Sequence, residues 1–206
     1  MNQKLPFRKN IRLNKDVYSL NASYFITICT HNRKCFLSQI VESDASGNCA
    51  VTQLSTYGKI VENAIMEIPE NYSDVKVESY VIMPNHIHMI LTNEGRADPS
   101  PTDNFWDEIE RGVLDATQSH SGPNSPSDCY SIPSRRYTGA NILDLVGWFK
   151  YKCTKEINHL RKSEGEQVFQ RSFYDHIIRD YNDFCTITKY ISENPMNWKQ
   201  DSLFIQ

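Results

Sequence analysis

The stretch SYVIMPNHIHMILT, residues 79–92, decides how the chain is read. Two β-branched, apolar runs, 75–83 and 86–91, flank Pro84-Asn85, which reads as a turn or bulge. On a strand, residues two apart share a face, so His86 and His88 project together, roughly 6.5–7 Å apart along the chain. Ile87 then points the other way, into a core. Two imidazoles on one face can converge on one divalent metal, although the pair alone does not choose which metal. An isolated His-x-His is more often a structural or surface pair, so its meaning depends on the neighbouring sequence.

Upstream, residues 24–30 (YFITICT) are β-branched and aromatic and predict a strand. Residues 51–68 carry Leu54, Tyr57, Ile60, Val61, Ala64, Ile65 and Ile68 at helical spacing, and Pro69 is expected to stop that helix. Downstream, residues 142–160 predict a second amphipathic helix and 168–178 (VFQRSFYDHII) an extended segment. Asp183 is the expected cap of a final helix that runs to about Glu193 and ends at Asn194-Pro195. The order β-α-β-β-α-β-α predicts an α+β fold: a ferredoxin-like antiparallel or mixed sheet with helices packed on one face.

The chain has 206 residues, 39% hydrophobic and 23% charged, which excludes a disordered, collagenous or coiled-coil protein. No apolar run approaches the ~20 residues of a membrane span. No hydrophobic stretch follows the charged start, so no secretory signal is expected and the cytoplasm is the expected setting. The six cysteines, at 29, 35, 49, 129, 153 and 185, form no CxxC pair and are expected as free thiols.

The net charge of −3 is unevenly spread. Residues 1–35 hold seven Lys and Arg against Asp16, a local +6, whereas residues 93–140 hold four Arg against eight acids, a local −4. The basic arm, 1–20, suits phosphate contact, and its Arg8, Lys9 and Arg12 are candidates for it. Residues 93–140 contain five Pro, four Gly and seven Ser and read as a surface insert, with a short helix around 105–114. The segments on either side complete one site, so residues 1–206 are read as a single domain.

Three blocks in order resemble the HUH single-strand nucleases, in particular the REP-associated tyrosine transposases and their insertion-sequence relatives. The blocks are YFITICTHNRKCFL (24–37), SYVIMPNHIHMILT (79–92) and FQRSFYDHIIRDYNDFCTITKYISENPMNW (169–198). The resemblance covers most of the chain except the acidic insert and the last few residues. It implies the HUH nuclease fold, with His86 and His88 as metal ligands and Tyr190 as the nucleophile on the helix after the last strand. It also implies that Asn194, four residues on, completes the site. Residues four apart share a helix face, which agrees with that pairing. Mixed imidazole and amide ligation suits Mg²⁺ or Mn²⁺ and leans to Mn²⁺.

Tyr174 competes as nucleophile, and Asp175, His176 and Arg179 of the same block are candidates to orient the site or bind phosphate. Arg33, Lys34, Lys150, Lys152 and Lys155 are further DNA candidates, although the last three cannot all share one helix face.

The resemblance implies cleavage and rejoining of single-stranded DNA at a hairpin through a 5′-phosphotyrosine link, by a nucleoid-associated enzyme. Its C-terminal blocks tilt toward a monomer rather than a homodimer. A phenol with a pKa near 10 needs a metal-polarised phosphodiester to react at neutral pH. One competing reading is a hairpin-DNA-binding protein that has lost efficient catalysis. A third, an unrelated His-metal hydrolase or oxygenase, is disfavoured because no carboxylate accompanies the histidines in a visible motif.

Overall fold

The computed structural model describes residues 21–42, 50–94 and 140–205. Residues 1–20, which include Arg8, Lys9 and Arg12, lie outside the described residues, as do Cys49 and residues 95–139 of the insert with the expected helix at 105–114. Strands β1 (Ser23–Cys29), β4 (Val75–Ile82), β5 (His86–Asn93) and β6 (Tyr174–Ile178) form one sheet in the order β4-β5-β1-β6. Every neighbouring pair is antiparallel. Numbered among these four alone and read from β6, the order is 4-1-3-2, with a helix in each of the two crossovers. The expected α+β antiparallel sheet with packed helices is therefore observed.

Helix α1 (Thr56–Met66) lies in the connection from β1 to β4, and helix α3 (Ile142–Arg161) in that from β5 to β6. Both pack on one sheet face, where Tyr24, Ile26, Ile28, Ile87, Met89 and Leu91 meet Val61, Ile65, Val146 and Phe149. The alternate residues Phe25, Val81, Ile90 and Ile178 face the other way, toward Ile191, Phe184 and Ile187 of helix α4 (Tyr181–Glu193). The expectation of one covered face holds for the crossover helices. It has to be extended for α4, because Phe25, Val81, Ile90 and Ile178 leave apolar surface on the second side that also needs cover.

Three local expectations are corrected. Residues 51–54 are not the start of the first helix. Ala50–Leu54 is strand β3, which pairs with β2 (Ser38–Glu42) in a separate hairpin. Ser55 begins the helix by accepting a bond from Gly58 N at 3.1 Å. The helix ends at Met66, and Pro69 sits inside the short helix α2 (Ile68–Asn71), in the first turn where its missing N–H costs nothing. At the other end of the chain, Asp180 rather than Asp183 caps α4, its carboxylate accepting from Asp183 N at 2.8 Å.

Gly58 touches the hairpin so closely that a Cβ there would lie 2.1 Å from the Leu37 carbonyl oxygen. The two ends of the insert meet, with Asn93 Nδ2 donating to the Ala140 carbonyl at 2.9 Å. The described cysteines, Cys29, Cys35, Cys153 and Cys185, are free thiols. Among the described residues no helix is long and apolar enough to cross a membrane.

Candidate metal centre and nucleophile

His86 and His88 lie on the β5 face covered by α4, with ring centroids 4.5 Å apart, 0% and 3% exposed. Ile87 between them is fully buried in the opposite core, as strand alternation requires. Each ring is held from behind. His86 Nδ1 lies 2.8 Å from Asn85 Oδ1, and His88 Nδ1 lies 2.8 Å from Thr27 Oγ1 on the neighbouring strand. Phe25 stacks on the His88 ring at 5.2 Å.

Helix α4 brings Tyr190 over the same spot, its hydroxyl 3.3 Å from His88 Nε2. Asn194, the C-cap of that helix, is 2% exposed. After Asn194 the chain turns back across the site. Trp198 lies 5.9 Å from the His86 ring, centroid to centroid, and Asp201 comes to rest with Oδ2 3.8 Å from His86 Nε2. The Asp201 carboxylate is 2% exposed, accepting from Asn194 Nδ2 at 3.1 Å and from Leu203 N at 2.7 Å. Candidate ligand atoms of His86, His88 and Asp201 all lie within 4.8 Å of one another.

Two buried atoms in this cluster, His86 Nε2 and Asn194 Oδ1, have no hydrogen-bond partner. A buried polar group without a partner is costly, and here acceptor atoms converge around a carboxylate. A divalent cation suits that donor set of two imidazole nitrogens, a carboxylate and an amide oxygen, so the residues present fit a metal. Burial keeps both rings neutral and ready to ligate, lowering His86 to about 4 against the opposing pull of Asp201, and His88 to about 2. Tyr190 is pushed the other way, above its ordinary value, by burial and then by the Asp201 charge.

Sequence reasoning missed Asp201. It falls in the last few residues, outside the matched blocks, and no spacing in MNWKQDSLF ties it to the histidines. Its presence also removes the objection that the histidine pair lacks a carboxylate.

The other candidates divide by location. Tyr174, 59% exposed, stands at the rim of the site face, edge-on to Phe25 at 6.4 Å. His176 Nε2 bonds Asp183 Oδ2 at 2.8 Å and ties β6 to the first turn of α4. Asp175 is half-buried on β6, and Arg179 is exposed just before the α4 cap. Arg33, in a turn where Asn32 and Arg33 both have φ of 54°, reaches the Ser202 carbonyl at 3.5 Å, and Lys34 beside it is exposed.

Lys150 belongs to the helix on the opposite sheet face, where its ammonium donates to the carbonyls of Gln170 and Arg171 at 2.6 and 3.0 Å. Lys152 pairs there with Glu67 and Glu156, both at 2.9 Å. Neither is grouped with the histidines.

No family model matches the chain. An uncharacterized protein of Haemophilus influenzae is 29% identical over 206 residues, spanning 99% of this chain and 97% of that one. Among solved structures, a REP-associated tyrosine transposase bound to a REP hairpin aligns over 95% of this chain and 74% of its own. The identity there is 16% and the TM-score 0.44. A Deinococcus radiodurans protein, provisionally described as a transposase, aligns over 92% of this chain and 97% of its own, at 14% identity and a TM-score of 0.35. At these values the chemistry of the site has to come from this chain's own residues.

Proposed function

We propose that this chain is a metal-dependent single-stranded DNA nickase and strand transferase of the tyrosine-transposase (HUH) kind, acting at hairpin DNA through Tyr190. One observation carries the proposal: a phenol lies 3.3 Å from one of two buried, neutral imidazoles that converge with a buried carboxylate and an unpartnered amide oxygen. His86, His88 and Asp201 hold the metal, Mn²⁺ or Mg²⁺, with Asn194 Oδ1 as the fourth protein donor. Bound there, the cation would supply positive charge that polarises a phosphodiester and favours ionisation of Tyr190, which burial and then the Asp201 charge hold above its ordinary value.

Tyr190 then forms the new bond from its phenolic oxygen to phosphorus. The bond from phosphorus to the 3′-oxygen breaks, leaving a 3′-hydroxyl and a 5′-phosphotyrosine. Attack by another 3′-hydroxyl reverses the step and joins strands without an external energy source. Thr27 and Asn85 keep the two imidazoles oriented throughout. Arg33 and Lys34, in the turn beside the site, serve as phosphate contacts, and Arg8, Lys9 and Arg12 of the basic arm are further candidates by charge, whereas Arg179 follows Ile178 at the end of β6 away from Tyr174. Tyr190 lies beside His88 within one chain, which supports a monomer over a homodimer that exchanges its tyrosine helix.

Covalent capture on a denaturing gel tests this directly. Labelled single-stranded hairpin DNA from repeats flanking the gene is incubated with the wild type, Tyr190→Phe and Tyr174→Phe, in Mn²⁺ or EDTA. The expected result is a protein–DNA adduct that requires metal and is lost only in Tyr190→Phe. Loss in Tyr174→Phe instead overturns the nucleophile assignment, and salt-sensitive hairpin binding with no adduct makes the chain a binding protein. Asp201 also favours a second reading, because two histidines and a carboxylate form the donor set of many iron and zinc enzymes. Tight iron or zinc in purified protein that ignores DNA would establish that reading.

A further inference from the structure

We infer that Asn85 is a positioning residue of this centre, its side-chain amide fixing the tautomer of His86 at one end and holding the segment that carries Asp201 at the other. The inference rests on the metal-centre reading above.

Asn85 is 0% exposed in the tight turn between β4 and β5, and both ends of its amide are used. Nδ2 donates to the Leu203 carbonyl at 2.8 Å. A carbonyl can only accept, so that contact orients the amide and turns Oδ1 toward His86 Nδ1, also at 2.8 Å. An amide oxygen cannot donate, so Nδ1 must carry the hydrogen. The lone pair of the neutral ring is then on Nε2, the atom without a partner that lies 3.8 Å from Asp201 Oδ2.

The other tautomer would set a ring lone pair against the amide oxygen and point an N–H at the proposed metal position. Ligating histidines are commonly held in this way by a partner on the second nitrogen, and removing such a partner typically weakens metal binding about 10–100-fold.

The second end of the amide acts on Asp201. Leu203 N donates to Asp201 Oδ1 at 2.7 Å while the Leu203 carbonyl is held by Asn85. Asn85, His86, Asp201 and Leu203 thus form a ring of contacts in which one amide sets both a nitrogen and an oxygen ligand. The backbone of Asn85 is anchored separately, its carbonyl accepting from Thr30 N at 2.9 Å and Thr30 Oγ1 at 3.0 Å. The side chain can therefore be changed while the turn remains tied down.

Two variants of the full chain separate the two ends. Asn85→Leu removes both contacts, whereas Asn85→Asp keeps an oxygen for His86 and loses the donor to Leu203. Three quantities are measured: the His86 tautomer by nitrogen NMR of metal-free, histidine-labelled protein, the Leu203 amide exchange rate, and Mn²⁺ affinity by calorimetry. The wild type is expected to show the Nδ1–H form. Asn85→Leu should gain the Nε2–H form and bind Mn²⁺ about 10–100-fold more weakly. Asn85→Asp should keep the Nδ1–H form, and Leu203 exchange should accelerate in both variants.

An Asn85→Leu protein with unchanged tautomer, unchanged Leu203 exchange and Mn²⁺ affinity within about twofold of wild type overturns the inference. Should that variant not fold, unchanged Leu203 exchange in Asn85→Asp does the same. Failure of the underlying reading looks different, because the wild type itself would then neither bind Mn²⁺ nor form the DNA adduct.

Discussion

Strand β5 presents two unlike surfaces. On one side Ile87, Met89 and Leu91 are closed over by the apolar residues of α1 and α3. On the other side His86 and His88 share the space under α4 with Tyr190, Asn194 and Asp201, and two buried polar atoms have no partner. The first surface needs only matching volume, while the second holds polar atoms that cost stability unless something binds them. Stability and chemistry are therefore separated by one residue of strand register, and each side should respond to its own kind of perturbation.

The largest expected response is to acid. Both histidines have folded pKa values below the ordinary 6.5, about 4 for His86 and about 2 for His88, so the unfolded chain binds protons first as pH falls. Unfolding then becomes easier from pH 6.5 down to about 4, by up to about 1.4 kcal/mol per pH unit for each histidine. Urea midpoints across that window should fall steeply for the wild type and about half as steeply for His88→Leu. Equal slopes would mean that His88 is not held neutral by burial.

Cutting into the other side gives the next largest effect. Phe149 is 0% exposed in the α3 core, and Phe149→Ala should cost about 3–5 kcal/mol in the same urea experiment. It should leave the pH slope and any response to Mn²⁺ intact. A lost Mn²⁺ response in a folded Phe149→Ala protein would break the separation of the two sides.

Mn²⁺ itself should stabilise the wild type by about 2.7 kcal/mol at one hundred times its dissociation constant, reversibly in EDTA. His88→Leu should abolish this rise, and an undiminished rise would place the metal elsewhere.

The smallest effect belongs to the helix that bridges structure and chemistry. Asp180→Ala removes the cap of α4 and should cost about 1 kcal/mol by thermal or urea unfolding. A loss within error would show that the His176–Asp183 contact alone anchors the helix start.

Much of this arrangement was legible because it depends on local period. Alternation put Ile87 and the histidines on opposite faces, and the Tyr190–Asn194 spacing put both on one side of the last helix. The order of strands and helices was enough to expect the sheet and its crossover helices. What escaped depends on contacts between segments far apart in sequence. Residues 51–54 continue the helical spacing of the apolar residues after them, and only pairing with β2 makes them a strand. Asp183, the expected cap, lies inside the first turn of α4 with its carboxylate on His176 of β6, and Asp180 three residues earlier caps the helix instead. Asp201 has no period at all, since its position is set by where the tail lands, gripped by Asn85, Asn194 and Leu203.

The hydrogen bond from Asn93 to the Ala140 carbonyl bears on how the chain can be engineered and how it can vary. Residues 93 and 140 meet at one pinned junction, which ties β5 to the start of α3 whatever length of chain runs between them. Loop-closure entropy grows slowly, so doubling the length between them costs only about 0.6 kcal/mol. That junction is a natural port, where a short linker, a reporter domain or a longer loop in a related chain can be spliced without moving β5 or α3.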